Sequence, residues 1–129
     1  MYKNEQGVVV DGYDVVSYFN EDRAVRGSKE LSVEHEGATF YFSSQENREL
    51  FKASPGRYMP QFDGYCAFGV AAHKMRVPSD QRTFKIYNGS LLLFFNDLHE
   101  GQPVNTKVMW NANERQLYED ATQAWPTLG

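Results

Sequence analysis

The chain has 129 residues, of which 41% are hydrophobic and 15% aromatic, enough to bury a core without staples and too apolar for a disordered segment. A net charge of −4 with no basic run excludes charge-driven binding to nucleic acid or to an anionic membrane surface. The single cysteine, Cys66, excludes an internal disulfide and any multi-thiolate metal site within one chain, leaving pairing between subunits open.

The start, residues 1–7, lacks the charged-then-apolar pattern of a secretory signal, and no apolar run approaches the roughly 20 residues of a membrane span. A cytoplasmic location is therefore expected. Val8-Val9-Val10 is a strand candidate closed by Asp11-Gly12, and Asp14 is placed to cap a short helical segment carrying Val15, Val16, Tyr18 and Phe19. Leu31 to His35 and Ala38 to Phe42 flank Glu36-Gly37 as a hairpin. Ser43 and Glu46 form a capping-box pattern at the head of a helix over Gln45 to Ala53, with Leu50 and Phe51 as its buried pair. Ser54-Pro55 starts a shorter turn that Pro60 stops.

Thr83 to Tyr87 and Ser90 to Phe95 flank Asn88-Gly89, the pair preferred in a two-residue hairpin turn. Asn105 or Thr106 caps a helix running to about Ala124, with Trp110, Leu117, Ala121 and Ala124 on one face and Pro126 ending it. Hairpins joined by helices predict a single α+β domain over residues 1–129. Its form is a small antiparallel sheet built from hairpins, with short helices and a C-terminal helix packed on it. No repeat, low-complexity tract or linker is evident.

The stretch Ala38 to Arg48, continued by Leu50-Phe51 and Pro55-Gly56-Arg57-Tyr58, resembles the core motif of the YHS-domain family. Gly12-Tyr13-Asp14-Val15-Val16-Ser17-Tyr18-Phe19 is similar to that family's opening motif, and Gly64 to Ala71 to its stand-alone bacterial members. Metal-linked members carry cysteines at positions that here read Ser17, Ser43 and Asn47. A hydroxyl or an amide does not replace a thiolate in a soft-metal site, so no metal is expected at those three residues.

The remaining chemistry centres on Cys66. A helix beginning near Gly64 puts its thiol in the first turn, where the positive end of the dipole favours a thiolate; a buried small hydrophobe is the alternative. His73 lies seven residues on, roughly 10 Å away along a straight helix, so a shared site requires a break that Gly69 could allow. Asp63, Tyr65, Cys66 and His73 are thus the candidate ligand-binding residues, with Cys66 the candidate for any catalysis. Cys66, His73 and Met75 are the remaining candidate metal ligands. His35 and His99 have no ligand spacing and receive no role. The expected function is a non-enzymatic module that binds or senses a small ligand or a metal at the Tyr65-Cys66 loop. Thiol-redox chemistry at Cys66 and a purely structural interaction domain are the alternatives. The cofactor is unknown, the expected partner is a small molecule or an outside thiol, and self-association stays open.

Overall fold

Three hairpins organise the chain in a computed structural model that describes residues 1–128. They are β1 (Ser28–His35) with β2 (Ala38–Phe42), β3 (Asp80–Tyr87) with β4 (Ser90–Phe94), and β5 (Asn96–His99) with β6 (Gln102–Asn105), each antiparallel. Every one turns on two residues with positive φ, Glu36-Gly37 (51°, 80°), Asn88-Gly89 (52°, 75°) and Glu100-Gly101 (53°, 80°). That is the type I′ geometry whose twist matches paired strands, and glycine holds its second place without a Cβ penalty. The helices are α1 (Ser17–Asn20), α2 (Gln45–Ala53), α3 (Pro55–Tyr58), α4 (Thr106–Asn111) and α5 (Glu114–Ala124), with a π-helical turn at Gly69–His73. The architecture is α+β, as the hairpin pattern predicts. No helix among the described residues is long and apolar enough to cross a membrane.

β4 is the central wall. Its Ser-Leu-Leu-Leu-Phe run is buried on both faces, because successive side chains of a strand point to opposite sides. Leu91 and Leu93 join Val9, Val15, Tyr18, Phe40, Phe42 and Phe51 in one core. Leu92 and Phe94 join Phe62, Ala67, Val70, Trp110, Ala121 and Ala124 in a second, under the C-terminal helices.

Several local expectations change. Val8 and Val9 form single bridges rather than a strand, since Val10 and Asp11 turn left-handed at φ 46° and 50° in a 3-10 turn, Val10–Gly12. The cap of α2 is Ser44, whose hydroxyl accepts from the Asn47 N–H at 3.1 Å, because the side chain of Ser43 is drawn instead to Asp14. Phe51 is buried but Leu50 is exposed on the outer face of α2. The long C-terminal helix is two helices with a break at residues 112–113, and Pro126 sits inside a closing 3-10 turn, Trp125–Leu128.

The structure also contains a repeat that is not evident from residue identities. Shifted by 52 residues, β1 and β2 fall on β3 and β4 at both ends of each strand. The pairings shift with them: Ser28 with Phe42 becomes Asp80 with Phe94, Ser32 with Tyr41 becomes Phe84 with Leu93, and the same irregularity lies between. The parallel bridge of Val8 to Thr39 becomes that of Pro60 to Leu91. Left-handed residues coincide as well, Val10-Asp11-Gly12 with Phe62-Asp63-Gly64 and Asp22 with Lys74.

Candidate functional site

Cys66 follows the left-handed turn at Phe62-Asp63-Gly64 and the extended Tyr65, and bridges to Leu93 of β4. Its N–H donates to the Val77 carbonyl at 2.8 Å, and its carbonyl accepts from the Val70 N–H at 3.2 Å. The thiol is fully buried. The Gly69 N–H approaches Sγ at 3.4 Å, and Thr106 Oγ1 lies 3.2 Å away. Thr106 has one hydroxyl proton and directs it to the Phe95 carbonyl at 2.9 Å, so the Cys66–Thr106 contact is the thiol donating to the Thr106 oxygen.

Above the thiol opens a cleft of about 520 Å³. Its floor is Cys66, Phe95 and Thr106; one wall is Phe68, Gly69 and His73 of the helical turn continued by Met75 and Val77. His99 and Val104 of the β5–β6 hairpin and Met109 of α4 complete the lining. Among the described residues no Lys, Arg, Asp or Glu lines it. Met75 and Met109 are 58% and 40% exposed, and thioether side chains adapt to irregular apolar surfaces.

Cys66, His73 and Met75 therefore share one cleft, although the chain between Cys66 and His73 does not break: it widens into the π-helical turn. No hydrogen bond joins the two, and the His73 ring packs edge-on against Phe68 at 5.9 Å. No cluster of three His, Cys, Asp or Glu forms among the described residues. Asp63 and Tyr65 lie outside the cleft lining. Asp63 takes the Met1 amino group at 3.3 Å, and Tyr65 stacks on Tyr2 at 5.0 Å. Extended backbone at Tyr65, leading into the bridge at Cys66, sends neighbouring side chains to opposite sides. The residues that sequence reasoning missed are His99, Val104, Thr106 and Met109. They come from the third hairpin and the start of α4, for which no spacing rule links them to Cys66.

Ser17, Ser43 and Asn47 converge elsewhere, around the buried carboxylate of Asp14. Oδ1 accepts from the backbone N–H of Val16 (2.8 Å) and Ser17 (3.2 Å). Oδ2 accepts from the Ser43 N–H (2.8 Å), the Ser43 hydroxyl (2.7 Å) and the Asn47 amide (2.8 Å). The Ser17 hydroxyl donates to the Asp14 carbonyl at 2.7 Å. Every group directed at this carboxylate is a donor, so the cluster is a satisfied hydrogen-bond network.

The chain matches no protein-family model, no curated protein and no solved structure.

Proposed function

We propose that the chain is a non-enzymatic, YHS-like module that binds a small, uncharged and mainly apolar molecule in the cleft over Cys66. The observation that carries this reading is the cleft itself. Its size falls in the range of about 300–1,000 Å³ typical of small-molecule sites, and its apolar lining is relieved only by a thiol, a hydroxyl and two imidazoles. A cationic ligand would find no carboxylate there, which disfavours it by the cost of an unpaired charge in an apolar site. The convergence of Ser17, Ser43 and Asn47 on one point supports the family resemblance, since these are the positions matched to that family's metal cysteines. The donors present there are hydroxyls and an amide already engaged with Asp14, a poor set for a soft metal. Thiol-redox chemistry is the weaker reading, because it needs a sulfur that solvent reaches and Cys66 is buried.

The test is a fluorescence titration with N-phenyl-1-naphthylamine, an uncharged apolar probe. Saturable binding at one site is expected, weakened roughly tenfold or more by Met109→Glu, which sets a charge beside the apolar lining. No saturable binding, or binding indifferent to Met109→Glu, would refute the reading.

A further inference from the structure

We infer that the β5–β6 hairpin is an insertion into the second of two repeated structural units, and that this insertion makes the binding cleft. The inference rests on the proposed binding function and assigns the element responsible for it. From Val8 to Phe42 and from Pro60 to Phe94 the two units run in register without a gap. Six of the 35 aligned residues are identical, among them Asp11-Gly12-Tyr13 with Asp63-Gly64-Tyr65. The units part at the end of the second strand.

In the first unit Ser43 and Ser44 alone connect β2 to α2. In the second unit residues 95–105 separate β4 from α4. The helices then resume the correspondence: Asn47 and Phe51, four apart and buried in α2, answer to Thr106 and Trp110, four apart and buried in α4. Asn47 reaches the Asp14 carboxylate, and Thr106 reaches the thiol of Cys66, which stands 52 residues after Asp14. The strands shift by 52 and the buried helix positions by 59, so up to those positions the second unit carries seven extra residues, Asp97 to Pro103, which make up most of the hairpin; α4 itself starts two residues later than that shift places it.

The two junctions differ accordingly. Around Asp14 the strand end and the helix start close on each other, with Asp14, Ser17 and Asn47 all buried. Around Cys66 the hairpin occupies the junction, and its His99 and Val104 line the cleft together with the helical turn ending at His73. Outside the cleft, β5 is exposed along its whole length. The wall that distinguishes the second unit from the first is thus the wall that selects the ligand.

Deleting Asp97 to Pro103 leaves Phe94-Phe95-Asn96-Val104-Asn105-Thr106 in place of the first unit's Phe42-Ser43-Ser44-Gln45-Glu46-Asn47, with Asn105, the cap of α4, still directly before Thr106. The deletion variant is expected to unfold cooperatively in urea and to bind N-phenyl-1-naphthylamine at least tenfold more weakly than the full chain. Val104→Asp in the full chain is expected to weaken the probe similarly. A deletion variant that folds and binds as tightly overturns the inference and leaves the cleft reading intact. A deletion variant that does not fold overturns the insertion, and a Val104→Asp variant of unchanged affinity overturns the hairpin's role as a wall. A full chain with no saturable probe binding overturns the cleft reading and this inference with it.

Discussion

Cys66 stands in the second unit where Asp14 stands in the first: each donates its backbone N–H at 2.8 Å to the carbonyl of a valine 11 residues later, Val77 and Val25. Each is fully buried. Each also lies at the head of a helical turn and receives a backbone N–H from three residues on, Gly69 to Sγ and Ser17 to Oδ1. The same backbone frame holds a carboxylate in a closed junction and a thiol beneath an open one.

The two positions should respond differently to truncation. Asp14→Ala removes the acceptor shared by Val16, Ser17, Ser43 and Asn47 and leaves buried donors unpaired, a loss of about 3 kcal/mol or more. Cys66→Ala gives up weak sulfur contacts and a small volume, about 1–1.5 kcal/mol. Urea unfolding of the two variants checks the order. A costlier Cys66→Ala would mean that the thiol, not the carboxylate, anchors its unit.

Glycine at two crowded positions gives a second expectation. A Cβ on Gly27 would lie 2.5 Å from the Tyr41 carbonyl carbon and 2.7 Å from the Phe42 nitrogen, both backbone atoms that cannot step aside. Gly27→Ala should therefore cost more than about 2 kcal/mol by opening the junction between residues 12–27 and β2. A Cβ on Gly69 would meet Val77 Cγ2 at 2.6 Å, in the wall of the cleft. Gly69→Ala should displace Val77 and lower the affinity for the apolar probe. Thermal unfolding and the probe titration read the two effects separately.

Tyr18 sets a limit at alkaline pH. Burial, then the charges of Tyr13, Asp80 and Asp14, raise its phenol well above the usual value of 10.0, and its hydroxyl donates to the Gln81 carbonyl at 2.6 Å. A group whose folded value is raised contributes stability that is present below its unfolded value and is lost as pH rises towards the folded one. Stability should therefore fall from about pH 10 upward, as the unfolded chain releases the proton and the folded chain does not. Tyr18→Phe should flatten this alkaline slope while costing about 1 kcal/mol at neutral pH for the lost hydrogen bond. An unchanged slope would place the alkaline sensitivity elsewhere.

What was legible in the sequence was local. Glu36-Gly37 and Asn88-Gly89 announce their hairpins because the turn type demands positive φ at two adjacent residues, and the α2 start is visible within three residues. Distant partners decided the rest. Ser43 has the chemistry of a cap, but Asp14, 29 residues earlier, takes its hydroxyl. The repeat stayed hidden because the two units share backbone conformation more than residue identity: Val10 and Phe62 adopt the same left-handed turn with unrelated side chains. Cys66, His73 and Met75 could be nominated from one segment, whereas the cleft needed the hairpin and α4 to complete its lining.

The remaining prediction concerns the reach of reagents to Cys66. The thiol is fully buried, yet it forms part of the cleft floor, so a reagent must enter the cleft and displace the contact to Thr106 before it meets sulfur. Alkylation by iodoacetamide in the native state is expected to run at a small fraction of the rate in urea, because reaction waits on local opening. Thr106→Val removes the hydroxyl that joins Cys66 to the Phe95 carbonyl, and should speed native alkylation without matching the unfolded rate. N-phenyl-1-naphthylamine should slow it again in the wild type by filling the space above the sulfur. A thiol that reacts as fast folded as unfolded would contradict its burial. One slowed by folding but indifferent to the probe would mean that the probe and the thiol do not share the cleft.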